Sequence, residues 1–422
     1  MKVLHLSTQD IHGGAFRGTY WLHQGLCQLG IDSQMLVARK FTDDPTVHLP
    51  SPTPIARLMN VWRKRREEQA LKSYVNRPPH TPFSPATVSA NLHGALHRLN
   101  PDLLHLHWVS GGFVRPRDLP RWQRPLVWTM RDMWPFTGGC HYDQGCGRYE
   151  AACGQCPQLA SNREHDLSRW QWQQKQQHWQ SITIHFVAIS TWLADCARAS
   201  SLSVGHHVQV IPNAIDPQVF MPHPKLDARA HFDLPPDKEI ILYGAMAVDD
   251  ERKGYGYLIE ALHKLAQQPD AASKHIVTFG EGDASKIATI PMSSTHLGYL
   301  TDNATLATLY STADVMVVPS PQEAFGKTAA EALSCETPVV CFDATGLKDV
   351  VEHQRCGYRA QPFHSDDLAA GITWVLADKE RYAALSRRGR AKVIEEFSLS
   401  RVAEQYKTLY AEILQKQRKA ES

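Results

Sequence analysis

No apolar run in this 422-residue chain approaches the roughly 20 residues a membrane-spanning helix needs. The longest, such as Val315–Pro319 and Thr337–Phe342, suit buried strands. The first ten residues turn polar before a signal-peptide core can form, so the chain is expected to stay in the cytoplasm. Charge of one sign is missing too. Lys and Arg total 45 against 43 for Asp and Glu, a net of +2, which excludes a global field aimed at nucleic acid. Nine cysteines scattered over so long a chain do not make a secreted disulfide framework. No internal repeat is visible, and no Asp-x-Asp triplet, the usual holder of a metal-bridged diphosphate, occurs. What is present is ordinary for an enzyme: 43% hydrophobic, 21% charged and too long for one core.

Short apolar runs alternate with helical periodicity. Lys2–Ser7 reads as a strand, followed by a loop with Gly13 and Gly14, a helix to Leu29 and a left-handed stop at Gly30. Ser33–Ala38, Leu103–Trp108, Pro125–Thr129 and Ile182–Ile189 add strands, with a Trp-rich helical stretch at Trp170–Trp179. Proline punctuation from Ile211 to Pro236 marks a linker. Alternation then restarts with strands at Glu239–Tyr243, His275–Phe279, Asp314–Pro319 and Pro338–Phe342. Between them lie helices at Tyr257–Gln267, Thr305–Ser311, capped by Asp302, and Lys327–Cys335. This order predicts two Rossmann-like α/β domains, each a parallel sheet covered by helices, facing a cleft. Boundaries are expected at 1–208 and 209–397. Ser398–Gln415 carries an apolar stripe (Val402, Tyr406, Leu409, Tyr410, Ile413, Leu414) on a helix expected to return to the N-terminal domain.

The most informative segment runs from Pro319 to Leu333. A strand ends, a turn follows and a helix opens near Gly326, placing fresh backbone N–H groups at the carboxyl edge of a sheet. Two carboxylates, Glu323 and Glu331, flank that turn. In a phosphate-binding position they suit ribose hydroxyls and a sugar ring, although a capping Glu323 and a solvated Glu331 would account for them equally.

The Glu-x7-Glu spacing resembles the motif of retaining GT-B glycosyltransferases of family 4, the group 1 class. Val210–Phe220 resembles that family's interdomain signature, Asp302–Ser320 its lead into the carboxylate motif, and Gly13-Gly14-Ala15 its N-terminal glycine loop. The resemblance covers nearly the full chain. It implies a nucleoside-diphosphate sugar donor, with Glu331 on the ribose and Glu323 on the transferred sugar. The Phe325 and Gly326 amides, Gly14 and Lys253 would serve the phosphates, and Glu323, Lys253 and Arg131 the chemistry. The chain departs from the pattern twice: Ala245 stands where the family often has Arg, and Arg131 where it usually has His. Arg252, beside Lys253, could replace the missing cation, or be a solvated charge. Without an Asp-x-Asp ligand, catalysis is expected to need no metal, and cations with a helix dipole would take that part.

Cys140, Cys146, Cys153 and Cys156 fall within an insertion at 137–157, closing on Cys-x2-Cys, a pattern compatible with structural zinc or with reduced thiols in a loop. The insertion resembles bacterial exopolysaccharide and colanic-acid-type members of the family. Residues 55–66 combine an apolar face (Ile55, Leu58, Met59, Trp62) with Arg57, Arg63, Lys64, Arg65 and Arg66. That combination suits either docking on its own domain or an anionic membrane surface, where a lipid-linked glycan acceptor would sit at the inner face of the plasma membrane. The reading is a retaining glycosyltransferase acting on a polysaccharide acceptor. Its chief rival is a non-catalytic sugar-nucleotide-binding partner, favoured by Arg131 and Ala245.

Overall fold

A computed structural model describes residues 1–51, 54–78, 81–248 and 250–421. It divides into two compact units, Met1–Pro212 with Val402–Ser422, and Asn213–Arg401.

The first unit is built on a seven-stranded parallel sheet. Its strands are β1 (Lys2–Gln9), β2 (Asp32–Arg39), β3 (Val47–His48), β4 (Leu103–Leu106), β5 (Leu126–Met130), β6 (Ile184–Ala188) and β7 (His207–Val210). They lie in the order β3-β2-β1-β4-β5-β6-β7. β7 explains why the boundary falls after Pro212 rather than after 208. It pairs with β6 from His185↔His207 to Ala188↔Val210, so the sheet needs residues 209 and 210. The helix Leu399–Glu421 joins this unit from Val402 onward, burying Val402, Tyr406, Leu409, Tyr410 and Ile413.

The second unit has a six-stranded parallel sheet of β8 (Glu239–Ala247), β9 (Lys274–Glu281), β10 (Ser294–His296), β11 (Val315–Val318), β12 (Val339–Phe342) and β13 (Gly357–Ala360). Their order is β10-β9-β8-β11-β12-β13. Strands covered on both faces are apolar throughout: all four residues of β11 and of β12 are buried. The helix Tyr255–Ala266 presents Leu258, Ala261, Leu262 and Leu265 to this core, the i, i+3, i+4, i+7 stripe of a half-buried helix. Burying each such leucine contributes about 1.5–3 kcal/mol. Asp302 caps the helix Asn303–Thr312 through a 2.7 Å bond from the Thr305 amide, as the sequence leads one to expect.

In both sheets strand order reverses direction beside the first strand, between β1 and β4 and between β8 and β11. Open α/β sheets bind ligands outside the carboxyl ends of strands at such a point.

Candidate functional site

In the second unit the two strands flanking the switch point each deliver one half of an ion pair. β8 leads to Lys253 and β11 to Glu323, and Lys253 Nζ meets Glu323 Oε1. Gly254 makes this possible. It has φ +75, and a Cβ there would lie 1.9 Å from the Pro319 carbonyl oxygen, so only glycine lets the loop after β8 close on the end of β11. Glu323 is buried, at 8% exposure. Ser320 Oγ donates to Oε1 at 3.3 Å, and the Glu323 amide donates to Thr345 Oγ1 at 3.1 Å. Burial by itself would raise this carboxyl, but Lys253, then Arg252, hold it below the usual range. Arg252 is committed locally: its Nη2 lies 3.1 Å from Asp250 Oδ2, while the Asp250 side chain also caps its amide. Its charge also acts on Glu323.

The helix Lys327–Ser334 opens two residues after Phe325, with Gly326 as its N-terminal cap in the left-handed region at φ +92. A side chain at 326 would strike Leu347, with a Cβ 2.4 Å from Cδ2. Phe325 is buried against Phe397. Glu331, one turn into the helix, is 1% exposed. Tyr310 donates to its Oε2 at 2.9 Å, whereas Oε1 receives no hydrogen bond among the described residues and has Lys327 Nζ at 3.5 Å. Its charge is thus balanced by Lys327 while Oε1 keeps hydrogen-bond acceptor capacity unused within the described residues. The solvated Glu331 is therefore not what is found. Tyr310, Lys327, Ser320 and Thr345 support these carboxylates and carry no signal of their own in the sequence.

Gly14 and Arg131 belong to the first unit. Gly14 opens the helix Gly14–Gln28, with clear space where a Cβ would stand. Arg131 follows β5 and is nearly buried, at 9% exposure. It reaches Thr19 Oγ1 at 3.5 Å and donates to His107 Nδ1 at 3.3 Å. That donation fixes the proton of neutral His107 on Nε2, which gives it to His5 Nδ1 at 2.9 Å. His5 then donates through Nε2 to Ser33 Oγ at 3.1 Å, and Ser33 to His23 Nδ1 at 2.8 Å. His23 passes on to Thr46 at 2.8 Å, whose hydroxyl reaches Asp44 Oδ1. Every donor in this buried chain points from a cation towards a carboxylate. His105 sits beside it, bonded to Thr129 at 2.7 Å and to Tyr410 at 2.6 Å. Burial drives His5, His105 and His107 well below the usual histidine value and His23 to about 4. Ring nitrogens of His5, His105 and His107 lie within 4.8 Å of one another, a spacing open to a metal. All six nitrogens already have protein partners, however, and a guanidinium abuts the group, so hydrogen bonding accounts for it. The alternation in His105-Leu-His107, at and just past the end of β4, sends both rings to one side of the extended chain and is the sequence signal that could have found it.

Cys140, Cys146, Cys153 and Cys156 line one cavity, with Asp143 and Tyr149 also in its wall, and all nine cysteines are free thiols. The helix Pro54–Leu71 is tied to its own unit by Glu67, which accepts from the amides of Ala86, Thr87 and Val88 at 2.7–2.9 Å. Leu58, Met59, Val61 and Trp62 are exposed on it, as are Lys64, Arg65 and Arg66. The side chains of Ile55 and Arg57 lie outside the described residues. Among the described residues no helix is long and apolar enough to cross a membrane.

Comparison with known proteins places this architecture. Residues 12–219 match the family described as Glycosyltransferase Family 4, and residues 225–392 match Glycosyl transferases group 1. A D-inositol 3-phosphate glycosyltransferase of Segniliparus rotundus is 30% identical over 193 residues, 44% of this chain and 42% of that one. The chain spans about half the length of the curated relatives it matches. Among solved structures, sucrose-phosphate synthase from Thermosynechococcus elongatus superposes with a TM-score of 0.67 at 21% identity, over 98% of this chain and 99% of that one. Anabaena HepE in complex with UDP-glucose gives 0.62 at 18% identity, over 97% and 100%. The fold is GT-B, and the chain belongs to the group 1 glycosyltransferases with a family 4 N-terminal domain.

Proposed function

We propose that this chain transfers a sugar, with retention, from a nucleoside-diphosphate sugar to a lipid-linked glycan in exopolysaccharide or cell-surface polysaccharide synthesis. The observation that carries the donor reading is the pairing of Lys253 with Glu323 at the switch point, with the open acceptor oxygen of Glu331 one turn away. In this reading Glu331 Oε1 takes a ribose hydroxyl, and Lys253 with the Phe325 and Gly326 amides meets the diphosphate. Glu323, released from Lys253 by the incoming phosphate, turns its carboxylate to the sugar. Negative charge on the departing nucleoside diphosphate grows in the transition state, and fixed cations and amides aimed at it lower the barrier without reorganising. Lys253 and the helix start supply that charge compensation from the chain itself, so the transfer is proposed to need no metal. HepE, solved with UDP-glucose, supports a nucleotide-sugar ligand for the fold.

The acceptor reading rests on the helix Pro54–Leu71. Its exposed Leu58, Met59, Val61 and Trp62 beside Lys64, Arg65 and Arg66 have the composition that binds an anionic bilayer surface. A non-catalytic sugar-nucleotide-binding partner is the second reading, favoured by Arg131, whose side chain is engaged by His107 and Thr19 within its own unit.

Calorimetric titration with UDP, GDP and ADP, with and without EDTA, tests the donor site. Tight binding of one nucleotide, indifferent to EDTA, is expected, and no binding of any overturns it. Sedimentation with anionic and neutral vesicles tests the surface. The triple change Lys64→Glu, Arg65→Glu, Arg66→Glu should abolish binding to the anionic ones. Binding of a nucleotide sugar without turnover on any membrane extract would favour the second reading.

A further inference from the structure

The loop 137–157 is held from all sides. Lys175, fully buried in the helix Leu167–Trp179, donates to the carbonyl oxygens of Trp134 and of Thr137, the latter at 2.9 Å, with its ammonium 3.8 Å above the Trp134 ring. Arg169 donates to the Cys153 carbonyl at 3.1 Å and Arg148 to the Gly154 carbonyl at 3.3 Å. The Cys153 and Gln155 backbones both lie in the left-handed region, at φ 51 and 44, which side-chain-bearing residues adopt only when something else over-determines the turn. Inside this frame four thiols share one cavity. The Gly138 amide donates to Cys153 Sγ at 3.2 Å, the kind of N–H···S contact that favours a thiolate. His141, the neighbouring alternative ligand, is engaged at both nitrogens, by Asp132 at 2.7 Å and Ser84 at 2.8 Å.

From this geometry we infer that Cys140, Cys146, Cys153 and Cys156 bind one zinc ion as a closed, purely structural tetrathiolate. Two features fit the chemistry. Four thiolates around Zn²⁺ carry a net charge of −2; Arg148 lines the cavity and Arg169 and Lys175 bind the carbonyls of Cys153 and Thr137, three cations against the one lining carboxylate, Asp143. The closing Cys153-Gly-Gln-Cys156 turn also has the spacing of a zinc-binding knuckle. The sulfurs stand wider than the spacing reached by the three histidines, since no three of them come within 4.8 Å of one another among the described residues. A tetrahedral site with Zn–S bonds of about 2.3 Å needs sulfurs about 3.8 Å apart, so binding draws the loop inward around the ion. Four protons leave with the exchange and no oxidant is required. A closed site of this kind has no open position for substrate, so its effect is on the stability of the first unit.

The full-length protein, purified without added chelator, should contain one zinc per chain by elemental analysis. Cobalt exchanged into the site should show the visible bands of tetrahedral thiolate coordination, a readout that needs no variant. Cys153→Ser and Cys156→Ser should each lose the metal, while Cys27→Ser and Cys196→Ser keep it. Absence of stoichiometric zinc with all four thiols open to a thiol reagent in the native protein overturns the inference. So does a pair of disulfides among the four, or zinc that survives both Cys153→Ser and Cys156→Ser.

Discussion

The ammonium of Lys253 rests on the carboxylate of Glu323, 70 residues further along the chain, because the loop after β8 and the turn after β11 meet where Gly254 packs on Pro319. Each neutralises the other in a buried place, so removing either leaves an uncompensated charge. If Lys253 meets the departing diphosphate as proposed, Lys253→Ala should lower kcat/KM by a factor corresponding to about 2–4 kcal/mol of lost transition-state stabilisation. Steady-state kinetics checks this, and near-normal kcat/KM would remove Lys253 from the chemistry.

In the proposed donor site, Glu331 Oε1, which receives no hydrogen bond among the described residues, takes a ribose hydroxyl. Hydrogen bonds to a charged group are worth about 1.5–3 kcal/mol. Glu331→Ala should thus weaken nucleotide binding by roughly 10- to 100-fold. Tyr310→Phe, which strips the donor from the other oxygen, should change affinity far less. Equal losses in the two variants would mean that Glu331 only supports the fold.

Two glycines three positions or fewer from Lys253 should respond in opposite directions. Gly254→Ala forces a Cβ into the Pro319 carbonyl at a positive φ, and should destabilise the second unit by at least about 1–3 kcal/mol while weakening nucleotide binding. Gly256 lies inside the helix Tyr255–Ala266 with nothing near its missing Cβ. Gly256→Ala should stabilise by up to about 1 kcal/mol. Thermal unfolding of both variants decides it.

The buried histidines make stability depend on pH. His5, His23, His105 and His107 are held neutral in the native state, whereas in the unfolded chain they take a proton near 6.5. Between those values the unfolded state binds more protons, so stability is full above about pH 6.5 and falls as pH drops below it. The slope is about 1.4 kcal/mol per pH unit for each histidine that stays neutral. For His23 the loss runs down to about 4. Urea midpoints measured from pH 7.5 to 5 should decline, and His23→Gln should make the decline shallower. A flat profile would mean that these rings gain protons as easily folded as unfolded.

Much of this was legible in the chain. Short apolar runs located β1, β2, β4, β5, β6, β8, β9, β11 and β12, because strands covered on both faces must be apolar along their length. The edge strands β3, β7, β10 and β13 escaped, being two to four residues long with polar or exposed positions. The two units divide after Pro212, just beyond the largely exposed edge strand β7. Glu323, Glu331 and Lys253 stood out through spacing and resemblance. Their supports, Ser320, Thr345, Tyr310 and Lys327, did not, because a side chain's partner across a turn leaves no periodic trace.

The sequence by itself therefore determined the architecture: two parallel-sheet units, the carboxylate motif after β11, and a glycine turn after β1. Hydrophobic periodicity and turn chemistry are local properties, and one chain segment is enough to express them. Tertiary structure decided which charges meet. It paired Lys253 with Glu323, left one oxygen of Glu331 open, turned Arg131 into a hydrogen-bonded line ending at Asp44, and gathered four cysteines into one cavity. The first and third of these depend on loop closure and strand order, which bring residues tens of positions apart into contact.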